Sequence, residues 1–404
     1  MQLTRCAAFI LAAVAGLLAT GLAAQTPGSD CSGPCVWERS YGDGGPPLRG
    51  GTVYMLADGL PLSDGDAIVV GSRMARDREI WLTRLDETGA DRWEATAPGI
   101  ACASASIDDG VAVLTEDAVS GSDYGVLAFG TDGSQANVEI GLDFDAYGIA
   151  ADGQGGFVVI GGTWEGPTVV AFDANGDQRW AWLGDVSGIA RAVAALPEGG
   201  MAVLGVGAGG SAEEPVWLAT LDDAGAQTQI LEIGLVGFAS SRPCEGAGRR
   251  WSVNILGDDL LAGYLGEDAQ SGQLITTIAR IAADGTVVWH QSHPSSTVDG
   301  AQGSLDEITG VSVTRQGNPM IAGFRDGPEG SGTGFVAGWD GDGNEIWRVD
   351  LRRPDQDGWV EFPVLGAPAE TADGGVLAVM TDGLLFMTSI RAYAFQLQPD
   401  GRQP

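Results

Sequence analysis

Two histidines, His290 and His293, stand in the run WHQSHP and are the only imidazoles in the 404-residue chain. A pair spaced HxxH could give a metal two nitrogen ligands. Zinc needs a third and fourth donor from Cys, His or carboxylate, and none stands at a ligand spacing. Both are assigned to a strand and its loop, and no metal site is expected. A Ser-His-Asp triad would have to use one of them, and the chain has no GxSxG elbow to present the serine. Asp340, Asp342 and Asn344 in DGDGNE have the oxygen types that begin a calcium loop, but the distal Glu is missing. That segment matches turns found elsewhere in the chain and is assigned to a turn. Acids are so frequent that no pair can be singled out for glycoside cleavage. GDGGPP has neither a Lys nor a following helix, so it is not a phosphate cradle. No catalytic residue, metal or cofactor is assigned.

Recognition chemistry has better candidates. Arg242, Arg249, Arg250, Trp251, Arg325, Arg352, Arg353 and Trp359 fall in a few long loops. Arg and Trp are favoured in contact surfaces, and a guanidinium can grip a carboxylate through two parallel hydrogen bonds. The plainer reading pairs these arginines with nearby acids such as Glu245, Asp326 and Asp355. The formal net charge is −33, with 54 acids against 21 basic residues, all of them Arg. Nucleic-acid binding needs clustered positive charge, so nucleic acid is excluded as a partner.

The elements that must hold these loops are repetitive. LDETGADRW, FDANGDQRW, IAADGTVVW and WDGDGNEIW share an apolar residue, an acidic turn, a glycine and a tryptophan. The turn glycines are Gly89, Gly133, Gly176, Gly225, Gly285, Gly343 and Gly401. Their period of roughly 45–60 residues points to a solenoid, a propeller or an array. Each unit reads as four short strands. The first is rich in small residues (ACASAS, ARAVAA) and the second is a compact apolar run (FVVIGG, MAVLGV). The third alternates (IWLTRLD, VWLATLD), and the fourth begins near the Trp. Between strands three and four, Asp or Asn caps the turn and Gly takes its φ > 0 position.

Seven glycine turns imply seven sheets, yet the last unit stops at QLQPDGRQP without a fourth strand. CVWERSYGD at 35–43 supplies a fourth strand that nothing precedes. The expected fold is all-β: a seven-bladed β-propeller of four-stranded antiparallel blades, closed by the N-terminal strand completing the last blade. In that order, the loops after strands two and four share one face, which carries the Arg and Trp candidates. Variable loops on a rigid frame are where binding is found.

The N-terminal run MQLTRCAAFILAAVAGLLATGLAAQ has one Arg, an apolar stretch and small residues at Ala23 and Ala24. It reads as a signal peptide over 1–24, followed by an extension at 25–34 and the propeller at 35–404. No Cys follows the cleavage site and no second run of membrane length occurs. A secreted or periplasmic monomer without a membrane span is expected. Four cysteines then remain, Cys31, Cys35, Cys102 and Cys244, which allow three pairings of two disulfides. The loop faces favour Cys31–Cys35 and Cys102–Cys244.

The stretch REIWLTRLDETGADRWEATAPG resembles the repeats of secreted bacterial β-propeller proteins, and the pattern covers essentially the whole chain after the leader. The turns also resemble the Asp-box turns of sialidases, without their Ser-x-Asp start, and the tryptophan repeats of quinoprotein propellers, which come with eight blades. The resemblance implies a propeller and is nearly silent on activity. The expected function is a non-enzymatic scaffold using its loop-rich face for a protein or glycan partner. The alternatives are a sialidase-like glycan hydrolase, for which Tyr124 and Tyr264 are the tyrosines to inspect, and a quinoprotein-like enzyme.

Overall fold

The computed structural model describes residues 35–41, 53–74, 78–108, 110–116, 124–163, 165–207, 214–237, 251–267, 274–294, 306–326, 332–351, 364–384 and 387–397. Among them every regular element is a β-strand. Six sheets each contain four strands in simple up-and-down order: residues 53–98, 100–142, 145–183, 189–237, 252–294 and 306–351. We call these blades 1 to 6. Consecutive blades pack face to face around one axis.

The ends of the chain form a different sheet. Strand Cys35–Tyr41 pairs antiparallel with Met387–Leu397, which pairs with Val376–Leu384. Val376–Leu384 meets two separate two-residue pieces, Val364–Leu365 and Ala369–Glu370. This sheet therefore has five strands. The expectation of seven like, four-stranded blades is corrected: six blades have that form, and the closing sheet does not. The cause is local. Gly366, Ala367 and Pro368 separate the two inner pieces, and proline has no N–H to give to the ladder. Closure itself joins the two ends, with Trp37 opposite Gln396 and Glu38 opposite Phe395. Tyr41 then meets Trp81 of blade 1 edge-on, with ring centres 4.7 Å apart.

Burial follows the order of strands within a blade. Second strands such as Met201–Val206 are buried at every position, because both faces of the sheet are covered by neighbouring blades. This is why they read as continuous apolar runs rather than alternating ones. Val158, Val159 and Ile160 are fully excluded from solvent, each worth roughly 1.5–3 kcal/mol of transfer free energy. Fourth strands such as Gln178–Leu183 are half-exposed and alternate.

The repeated turn has one geometry. In blade 1 the Asp86 carboxylate accepts from the backbone N–H of Thr88 and Ala90, at 2.9 and 3.0 Å. Asp173, Asp222 and Asp340 repeat this in blades 3, 4 and 6. The DGDGNE segment is thus a capped hairpin turn, as its alignment with the others requires. The turn glycines from Gly89 to Gly343 have φ between 78° and 86°, and Gly401 lies outside the described residues.

The tryptophan has a second task. Trp93 of blade 1 lies against Gly133 of blade 2, so closely that a Cβ there would come within 2.8 Å of the indole. Its Nε1 donates to the Thr131 carbonyl at 2.9 Å. Trp180 covers Gly225 of the next blade, and Trp289 covers Gly343 and donates to the Gly341 carbonyl. The motif is a clip between consecutive blades, and glycine is needed both for its φ and for the room it leaves.

Candidate functional site: the mouth of the axial channel

The first strand of each blade is an edge strand, and its unpaired backbone groups face the axis or the next blade. Neighbouring blades satisfy several of them. Ser72 Oγ accepts from the Ala101 N–H at 2.9 Å, and Thr381 Oγ1 accepts from the Leu56 N–H at 2.8 Å. Asp58 accepts from both the N–H and the hydroxyl of Ser104, at 2.7 and 3.0 Å. Asn254 donates to the Val311 carbonyl at 2.9 Å.

These strands surround a cavity of about 340 Å³ lined by all six blades and by the closing sheet. Small residues make the room: Ala103, Gly148, Ala192 and Gly310 on the inner strands of blades 2, 3, 4 and 6, and Ala367 between the two inner pieces of the closing sheet. Blade 1 breaks the series with Asp58, and blade 5 with Val253 and Asn254.

A β-bulge recurs just before that position. The pairing register slips between Leu56 and Asp58, Ala101 and Ala103, Ala146 and Gly148, Ala190 and Ala192, and Ile308 and Gly310. The extra residues are Ala57, Cys102, Tyr147, Arg191 and Thr309. A bulge re-aims one side chain relative to the pleat. Cys102, Tyr147 and Arg191 line the cavity as a result. They lie near the starts of their strands.

Arg191 is 7% exposed, and its guanidinium carbon lies 4.1 Å above the centre of the Tyr147 ring. Such stacking is a cation–π contact. Burial pulls the Arg191 pKa down, and the neighbouring phenol offsets part of this. Burial pushes the Tyr147 phenol up; Arg191 lowers it and Asp145 raises it. Trp251, at the head of blade 5, also lines the cavity and packs against Tyr264 with ring centres 5.2 Å apart.

Among the described residues, Cys102, Tyr147, Arg191 and Trp251 meet at this cavity. Of the loop candidates, Trp251 reaches the channel. Arg325 stands next to the end of strand Pro319–Asp326, opposite Asp306, with its side chain outside the described residues. Arg242, Arg249, Arg250, Arg352, Arg353 and Trp359 lie outside them entirely, as do Cys31 and Cys244. Cys35 begins the closing strand, and Cys102 is buried at the cavity wall. Tyr124 and Tyr264 are 6% and 2% exposed, inside blade interfaces rather than at a mouth. The ring of His293 packs on Trp339 at 5.9 Å. Arg191 was missed, although one signal marks it. It is the lone charge in the strand IARAVAA, where every neighbour is small or aliphatic.

The opposite face is built otherwise. There the first-to-second turns are tied to the third and fourth strands by ion pairs. Arg84 and Arg92 both reach Asp66, at 2.7 and 2.6 Å, Arg179 reaches Asp152, and Arg280 reaches Asp259 at 2.6 Å. None of these arginines is among the loop candidates.

Among the described residues no helix is long and apolar enough to cross a membrane. No protein-family model and no curated protein matches the chain. Solved structures similar to it include BamB from Moraxella catarrhalis, at 14% identity over 86% of this chain and 98% of that one, with a TM-score of 0.47. The β-propeller domain of the Trilobed protease from Pyrococcus furiosus matches at 10% identity, 86% and 96% coverage and a TM-score of 0.49. The Neurospora crassa Pan2 WD40 domain matches at 8%, 85% and 89%, with a TM-score of 0.49. The propeller assignment for this chain rests on its own strand order: six four-stranded blades and a closing sheet about one axis.

Proposed function

We propose that this chain is a non-catalytic interaction scaffold, exported from the cytoplasm, that presents its loop-rich face to a protein or glycan partner. The asymmetry of the two faces carries the reading. One face has short turns whose charges are engaged within the chain. The other has the channel mouth, with Arg191, Tyr147 and Trp251 already aligned there. On this reading Arg242, Arg249, Arg250, Trp251, Arg325, Arg352, Arg353 and Trp359 form the contact surface. Residues 1–24 are the export signal, 25–34 an extension, and 35–404 the propeller. A sialidase-like hydrolase would need an exposed tyrosine nucleophile among several arginines, and the burial of Tyr124 and Tyr264 speaks against both.

The test is capture of protein and glycan partners by the chain without residues 1–24. The same experiment is repeated with Arg249, Arg250, Arg352 and Arg353 changed together to Ala. Loss of capture is the expected result, and unchanged capture removes the loop-face surface. The disulfides Cys31–Cys35 and Cys102–Cys244 belong to the same reading.

A further inference from the structure

We infer that the axial cavity is a binding site for a small carboxylate, held by Arg191 at the loop-side mouth. This goes beyond the scaffold reading and does not depend on a partner at the loop face.

Three observations lead to it. The first is room. A space of about 340 Å³ lies on the axis, and residues no larger than alanine keep it open on four of the surrounding inner strands and at Ala367 in the closing sheet. The second is charge. In a chain of net charge −33, Arg191 is the one cation lining this cavity among the described residues. The bulge brings it there from a strand otherwise made of small residues, and Tyr147 fixes the plane of the guanidinium. A guanidinium in a partly desolvated wall favours a ligand that brings negative charge in a planar, two-oxygen form. The third is the rest of the lining. Asp58 is across the ring from Arg191, committed to two hydrogen bonds from Ser104, so it repels a second acid on that side. Trp251 and Tyr147 offer aromatic surface beside the guanidinium. The wall fits a ligand with one carboxylate at one end and an apolar or weakly polar body.

Two sources share this chemistry: a free organic acid and the C-terminus of a peptide. The experiment is calorimetric titration of the chain without residues 1–24. The probes are N-acetylalanine, trialanine with a free C-terminus and trialanine with an amidated one. Saturable binding of at least one free carboxylate is expected, with none for the amide. Tighter binding of trialanine than of N-acetylalanine identifies a peptide end, and the reverse identifies a free acid. Arg191→Gln weakens binding roughly tenfold or more, and Arg191→Lys keeps part of it. Ala103→Leu leaves Arg191 in place, fills the cavity and abolishes binding, so it decides the matter if Arg191→Gln fails to fold. Absence of saturable heat with either free carboxylate overturns the proposal. So does equal affinity in a folded Arg191→Gln chain, or equal affinity for the amide.

Discussion

Trp93 of blade 1 presses its indole on the α-carbon of Gly133 in blade 2 while its Nε1 donates to Thr131 two residues earlier. The two residues are forty positions apart in sequence and belong to one contact. Replacing Trp93 by Ala removes the covering ring and one hydrogen bond. A loss of about 2–4 kcal/mol in urea unfolding is expected. Gly133→Ala destabilises for two reasons, a φ of 82° and the collision with the indole. Trp93→Ala relieves only the second. The double variant is therefore less damaged than the sum of the single ones, by about 0.5–3 kcal/mol. Strict additivity would show that the contact is incidental.

Closure gives a second expectation. A chain beginning at residue 42 lacks the strand Cys35–Tyr41 and bares one edge of Met387–Leu397. It also leaves Trp81 without its edge-on partner Tyr41. Thermal unfolding should move to lower temperature and lose cooperativity, and a synthetic peptide of residues 35–41 should restore part of both. Identical melting curves with and without the strand would show that the ring holds without its latch.

Acid should loosen the turns in a defined window. Hydrogen bonds hold several turn carboxylates below the usual range. For Asp86 the largest is from the Thr88 hydroxyl, for Asp173 from the Asp177 backbone, and for Asp340 from the Asn344 side chain. A depressed folded-state pKa contributes stability that is complete above the unfolded value, about 4, and is lost as pH falls below it. The melting temperature should be flat above that pH and fall beneath it. Asp86→Asn keeps an acceptor oxygen and should reduce the fall. A variant with an unchanged acid limb would assign the loss to other groups.

Base should act through the tyrosines. Burial raises the phenol pKa of Tyr147 and, more strongly, of Tyr264, against the opposing hydrogen bond from Thr277. Their neutral forms are favoured by folding, so this stability is present below the ordinary phenol pKa of about 10 and is lost as pH rises above it. Ultraviolet titration of the folded chain should show Tyr147 and Tyr264 ionising above the ordinary phenol range, and Tyr264→Phe should remove one late-ionising phenol.

Much of this architecture was readable in advance because it repeats. The Asp-Gly turns, the buried second strands and the sharing of one sheet by both ends each follow from residue types that recur at a steady interval. The regularity also misled, since seven turn glycines suggested seven like blades. The inner strand at 364–370 is interrupted where Gly366, Ala367 and Pro368 stand, and a turn-based count does not see inner strands. The site was less legible. Arginines attract notice in clusters, whereas Arg191 is solitary. Its position depends on a bulge that shifts one residue out of the pleat, and single-strand periodicity carries no trace of that slip. The tyrosines were weighed by scarcity, and only packing separates Tyr147 at the channel from Tyr124 and Tyr264 in the walls.

Pairing Cys35–Tyr41 with Met387–Leu397 sets a timetable for biogenesis. Among the described strands, the first to emerge must wait for the last before it finds its partner. Until synthesis ends, it carries an unfilled edge that any passing strand could occupy. Loss of a few residues from either Cys35–Tyr41 or Met387–Leu397 should injure the same sheet.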